Sequence, residues 1–313
     1  MADGAGAATT VTSSPEDIEV LASPVPNSLA CGMKLSIVHR TVFTYGGPVT
    51  DSLNTLHLEP RTFPFQQTLG ALVKVLPATR VRRFTDLFQN ITHHFELVQP
   101  HTRLEVESHI RVRNLPLDVS AESKAATFDD YRDPSIRERI WPLLQESHLI
   151  SKHVDIWRQA VDLTRERPTI FDQSLSIMHW VHQTFVYDVC STTSSTHLEE
   201  AFALRRGVCQ DYAHVMIGLC RAVGIPARYA SGYLYNGPRD TLVGAQASHA
   251  WCEVYLPGSG WIGFDPTNGT LADARYAKIA VGRDYDDVAP IKGNYRGSSH
   301  CHLQVHVEVS KLE

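Results

Sequence analysis

A thiol becomes a useful nucleophile when three conditions meet. Its surroundings must favour the thiolate, a base must lie within hydrogen-bond reach, and a third group must orient that base. The stretch "RRGVCQDYAHVMIGLCRAVG", residues 205–224, contains two cysteines, Cys209 and Cys220. Only Cys209 has a glycine, Gly207, just ahead of it and an amide and an acid, Gln210 and Asp211, just after it. Residues 209–223 read as a helix that Gly224 closes, so Cys209 stands in its first turn. Unpaired N–H groups and the positive end of the helix dipole favour an anion there. Gly207 allows a tight entry to the helix.

The base is expected on a neighbouring rigid element. His249 opens the strand-like run "HAWCEVYL", forty residues after Cys209, and Asp265 in "GFDPTN" follows sixteen residues later. A strand, a turn at residues 257–260 and a return strand fill that gap. An antiparallel hairpin therefore sets His249 beside Asp265. The pattern predicts Cys209 as nucleophile, His249 as general base and acid, and Asp265 as the group that orients His249.

Taken singly, each residue has an ordinary reading. A helical cysteine is most often a small buried apolar residue, and an Asp before Pro commonly marks a turn. The order and flanks of the three make the chemical reading specific. Gln210 and Asp211 are candidates to line the cleft, although capping of the helix is the commoner role for an acid there. Trp251 shares a strand face with His249 and, with Trp261, is a candidate to wall the site; core packing is the default for both. Cys252 falls on the opposite strand face, and Cys220 and His214 read as packing residues.

The elements that must position these residues suggest an α+β protein. Residues 1–32, rich in Ala, Ser, Thr and Pro, read as a disordered N-terminal arm, with Met33 a candidate start. Residues 33–115 read as a β-sandwich-like domain of β-branched and alternating runs: "LSIVHRTVFTY", "TLGALVKVLP", "ITHHFELV" and "RLEVESHIRVR". Residues 116–160 form a helical linker region. Residues 161–313 form a catalytic core, with Asp172 as the N-cap of a helix and "HLQVHVEV" as a closing strand.

The chain has 313 residues, 43% apolar and 20% charged, with a formal net charge of −5. That composition suits a folded, water-facing protein. It gives no basic block for nucleic acid or an anionic membrane surface. No apolar run reaches the ~18 residues of a membrane span. The first 33 residues carry no Lys or Arg, so they do not read as a secretion signal, and a cytoplasmic location is expected. The six cysteines lack any C-x-x-C pair. His300, Cys301, His302 and His306 crowd together, as do the histidines of "THHFE", but neither group has metal-ligand spacing, so no metal or other cofactor is expected. The acidic stretch "GRDYDDVAP" lacks the alternating oxygen ligands of a calcium loop and reads as a salt-bridged loop or a cleft wall.

"GVCQDYAHVMIGLCRAVGIPARYASGYL" followed by "SHAWCEVYLPGSGWIGFDPTN" resembles the transglutaminase-like superfamily of papain-type cysteine enzymes. "HRTVFTYGGPVTDSLNTLHLEPR" and "GRDYDDVAPIKGNYRG" resemble the bacterial branch, including its N-terminal β domain. The resemblance implies the same three residues, Cys209, His249 and Asp265. It also implies an upstream side chain as the second oxyanion donor, with Tyr187 first and Trp180 as the alternative. The implied activity is thiol-dependent acyl transfer on a peptide or protein amide, by water as a protease or amidase, or by a primary amine as a transglutaminase. Alternatives are an amide-forming acyltransferase in peptide natural-product assembly, a catalytically idle binding or scaffold module, and an enzyme that needs a protein partner recruited through the β domain.

Overall fold

The computed structural model describes residues 32–237, 248–298 and 300–312. The arm expected over 1–32 therefore lies outside the described residues except for Gly32. Strand β1 (Met33–Glu59) buries Leu35, Ile37, His39 and Thr41 in turn, the two-residue period of a half-buried strand. It is central to an antiparallel sheet with β2 (Gln66–Leu76), β3 (Arg82–Thr85), β4 (Ile91–Leu97) and β5 (His101–Asn114), in the order β2-β5-β1-β4-β3. β1 pairs with β5 from Met33 to Thr44, shifts register before Val49, and pairs with β4 beyond Ser52. Its two halves thus belong to different parts of the sheet. They close over Val49, Leu56, Phe95, Leu104 and Val106, which gives the sandwich-like core.

Short helices α1 (Ala121–Lys124) and α2 (Pro134–Ile140) lead to α3 (Val154–Thr164) and α4 (Ile170–Thr184). The N-cap of α4 is Thr169 rather than Asp172. Its hydroxyl oxygen accepts from the Asp172 backbone N–H at 3.1 Å and donates to the Asp172 carboxylate at 2.8 Å. Ile170 and Phe171 are both buried, so the helix must begin a turn earlier to carry them into the core.

Two short strands, β6 (Val186–Tyr187) and β7 (Arg206–Gly207), pair in parallel on either side of α5 (Leu198–Leu204). Helix α6 (Cys209–Ala222) follows and packs on a second antiparallel sheet. That sheet has β8 (Ala227–Leu234), β9 (His249–Leu256), β10 (Gly260–Asp265), β11 (Thr270–Leu271) and β12 (Tyr276–Gly282), in the order β11-β10-β9-β8-β12. Gly224, at φ +85°, ends α6 as expected, and the Ile225 N–H donates to the Cys220 carbonyl at 2.9 Å.

The last two strands, β13 (Ile291–Gly297) and β14 (Cys301–Leu312), pair with β1 and not with the second sheet. The closing strand placed in the core on sequence thus returns to the first sheet. Alternation marks a strand but does not choose its neighbour. The two sheets meet across an apolar seam in which Leu35, Ile37, Ile110 and Val112 pack on Tyr233, Ala277 and Ile279. Each such aliphatic side chain contributes about 1.5–3 kcal/mol. Polar pins fix the register of the seam. Asn114 Nδ2 donates to the Ala274 and Tyr276 carbonyls at 3.0 Å, and Asn90 joins the Val281 backbone through both ends of its amide at 2.8 Å. Among the described residues no helix is long and apolar enough to cross a membrane.

Candidate active site

Cys209 is the first residue of α6 and is partly exposed. The approach to it is built around Gly207, whose φ of +155° few side chains tolerate. A Cβ at that position would lie 2.3 Å from Asp211 Oδ2. The space is needed because Asp211 folds back over Gly207, where Oδ2 accepts from the Val208 N–H at 2.8 Å and from the Thr192 hydroxyl at 2.7 Å. Burial pushes the Asp211 carboxyl above its usual range. Gln210 donates to the Ser194 carbonyl at 3.1 Å. Gln210 and Asp211 are both buried and tie the 188–196 loop to the start of the helix.

His249 and Asp265 meet as the hairpin predicts. The β9–β10 register pairs Phe264 with Cys252, so Asp265 falls on the same face of the sheet as Trp251 and His249. His249 Nε2 lies 2.8 Å from Asp265 Oδ2, and neither side chain is exposed to solvent. A carboxylate can only accept, so Nε2 carries the proton. Nδ1 makes no hydrogen bond among the described residues, and Cys209 acts on the imidazole after Asp265, favouring its charged form. Burial opposes charge on His249. The Asp265 carboxylate and then Cys209 outweigh burial and raise the imidazole from 6.5 to about 10.

The support of Asp265 is more elaborate than the sequence suggests. Its Oδ2 also accepts from the Tyr276 hydroxyl at 2.8 Å and from Asn268 Nδ2 at 2.7 Å. Its Oδ1 accepts from the Thr267 and Asn268 backbone N–H groups at 2.9 and 3.2 Å. Burial raises the carboxyl, but the His249 charge and these donors hold it below its usual value. The Asp-Pro-Thr-Asn turn was a sequence signal for part of this network. Tyr276, on β12, had none.

Tyr187 comes close to Cys209 because β6 pairs it with Gly207. Burial, followed by the charge of Cys209, pushes its hydroxyl up to about 12, so it remains a proton donor through neutral pH. Tyr229 and Tyr285 also feel the Cys209 charge, after burial. Trp180 instead sandwiches the Arg205 guanidinium, 4.5 Å from its ring, together with Phe202. Trp251 stands next to His249, with ring centroids 6.2 Å apart, and sits over Gly232 and Gly263, where added Cβ atoms would strike its ring. Trp261 lies at the other end of the hairpin, paired with Tyr255 beneath the Arg228 guanidinium, so it walls the seam between the sheets and not the site. Cys220 and Cys252 are fully buried, and the His214 ring accepts from the Tyr285 N–H at 3.1 Å as a packed, neutral group that burial lowers to about 4.

In "GRDYDDVAP", Asp284 accepts from the Leu149 N–H, Asp286 pairs with His148 and Lys292, and Asp287 pairs with Arg283. These carboxylates hold loop structure. Among the described residues, no three His, Cys, Asp or Glu side chains are grouped to hold a metal ion.

Comparison with known proteins agrees with this architecture. A family model described as the transglutaminase-like superfamily matches residues 158–266, and one for the bacterial transglutaminase-like N-terminal region matches residues 35–113. Protein ML0607 of Mycobacterium leprae is 32% identical over 294 residues, spanning 89% of this chain and 99% of that one. The structure of a proposed cysteine protease from Cytophaga hutchinsonii superposes with a TM-score of 0.74 at 24% identity, covering 91% of this chain and 92% of that one. A protein-glutamine gamma-glutamyltransferase of Pseudomonas aeruginosa is 41% identical over 70 residues, 21% of this chain and 10% of that protein. The chain belongs to the transglutaminase-like superfamily, with the N-terminal region of its bacterial members.

Proposed function

We propose that this protein is a thiol-dependent acyl-transfer enzyme acting on amide bonds. The observation that carries the reading is a buried imidazole. Asp265 holds it through Nε2, and Nδ1 is left for the thiol at the start of α6. In the proposed reaction the Cys209 thiolate attacks the amide carbonyl, and His249 protonates the departing amine. The result is a thioester. His249 then takes a proton from the acceptor, which attacks the thioester and frees Cys209. The Cys209 N–H and the Tyr187 hydroxyl are the proposed donors to the oxyanion. Water as acceptor gives hydrolysis, and a primary amine gives transamidation.

The test compares the protein with its Cys209→Ala variant on a pooled library of glutamine-containing peptides, with and without a primary amine, read by mass. Peptide cleavage or a deamidation of about 1 Da that needs Cys209 means hydrolysis, whereas amine-sized adducts mean transamidation. Identical spectra for both proteins, together with iodoacetamide labelling of Cys209 no faster than that of the exposed Cys190, would remove the proposal. Tyr187→Phe is expected to lower kcat by roughly 10²–10³-fold while leaving KM and iodoacetamide labelling of Cys209 nearly unchanged. A loss in KM instead would make Tyr187 a binding residue.

A further inference from the structure

Among the described residues the first sheet has several free edges, and they are not alike. β3 is short and carries Arg82 and Arg83. β2 is broken by an irregularity between Thr68 and Gly70 and carries Lys74. β13 is short, contains two glycines, and presents Lys292 and Arg296. Such features discourage another strand from adding to an edge. β14 has none of them over residues 301–309. It pairs with β1 without a register break from Tyr45↔Cys301 to Lys34↔Leu312. It contains no proline, and its one lysine, Lys311, stands near its end. Among the described residues, no strand pairs with its outer edge.

The side chains of β14 form two stripes. Leu303, Val305, Val307 and Val309 lie opposite Phe43, Thr41, His39 and Ile37 of β1. Val307 and Val309 pack into the seam between the sheets. Leu303 and Val305 continue the same stripe outward and remain 52% and 47% exposed. His302, Gln304, His306 and Glu308 occupy the other face.

This sequence is complementary to itself in reverse. In an antiparallel pair centred on Val305, Val305 faces its own copy and Leu303 faces Val307. On the other face, His302 meets Glu308 and Gln304 meets His306. Apolar residues meet apolar residues, and each acid meets a base. The pairing is isologous, so a twofold axis closes it and leaves no further edge of this kind exposed.

We propose that a second copy of this chain docks along β14, joining the two first sheets into one continuous sheet across a twofold axis. The proposal is independent of the reading of the active site. The test is the self-association of the full chain by sedimentation equilibrium, with circular dichroism to confirm that each variant is folded. A dimer is expected. Val305→Lys, which sets two ammonium groups against each other at the axis, should abolish it. His302→Glu, which faces Glu308 with a second acid, should weaken it roughly ten-fold, and adding Glu308→His should restore it. A folded chain that stays monomeric at every concentration would overturn the proposal, as would a dimer indifferent to these substitutions.

Discussion

Asp265→Asn is expected to slow iodoacetamide labelling of Cys209 at neutral pH by roughly 10²–10⁴-fold and to move the titration of His249 toward acid. The substitution preserves shape and removes charge. In the native site the carboxylate outweighs burial and raises His249 from 6.5 to about 10. Without that charge, burial acts nearly unopposed and the imidazolium is lost near neutrality. In the proposed mechanism the attacking thiolate then loses its counter-charge. The new side-chain amide would also present an N–H to some of the donors that now converge on the carboxylate, from His249, Tyr276 and Asn268. Breaking a buried pair of this kind costs about 3–5 kcal/mol. Because the folded value of His249 lies above its unfolded value, its stabilising contribution is complete below about 6.5 and is lost as pH rises through about 10. The variant should lose that alkaline dependence. Nitrogen-15 NMR of the imidazole across pH 6–11 reads the titration directly, and an unchanged titration in the variant would remove Asp265 from the role assigned to it.

Glu253→Ala should be the most destabilising change outside the candidate site, at about 3–5 kcal/mol by chemical denaturation. Glu253 is 4% exposed at its side chain and lies at the seam between the sheets. Its Oε2 accepts from Arg228 Nε and Nη2 at 2.8 and 2.7 Å, and its Oε1 accepts from Lys278 Nζ at 2.6 Å. Truncation leaves two buried cations facing each other without a counter-charge. Lys278 also joins the seam, with its ammonium 4.3 Å above the Phe63 ring and its backbone N–H bonded to Gln66. The same substitution should therefore loosen the attachment of the first sheet. Burial works against the Glu253 charge, yet the two cations hold its carboxyl below 4.5. Its contribution is thus present above about 4.5 and fades as pH falls through the lower folded value. A combined change to Glu253→Leu, Arg228→Leu and Lys278→Met should cost less than Glu253→Ala, because it strands no charge. If the triple variant is the less stable of the two, the group stabilises by pairing and not merely by avoiding an unpaired charge.

The candidate site was legible in the sequence because its decisive relations are local or nearly so. Helix period and Gly224 place Cys209 at a helix start. Strand period and the turn at 257–260 set His249 and Asp265 face to face. These follow from backbone geometry over short stretches of chain, and short stretches carry that information in residue order. The strands of the first sheet were legible for the same reason.

Relations between distant segments were not. Alternation in residues 302–309 shows a strand, but either sheet could have received it; pairing with β1 was decided by which apolar stripe fitted the seam. Tyr276 supports Asp265 only because the packed sheet brings the start of β12 within reach of the hairpin, and nothing in "ARYAKIAVG" marks that hydroxyl. Gln210 and Asp211 adjoin Cys209 in sequence, and only the packed chain shows that Asp211 folds over Gly207 and that the two bond to Ser194 and Thr192 of the 188–196 loop. Trp261 is close to Asp265 in sequence but is carried by the strand to the other end of the hairpin. The sequence by itself determined the candidate reactive residues and the elements that bear them. Tertiary structure decided which groups hold those residues in place, because burial and long-range pairing are properties of the packed chain and not of its local order.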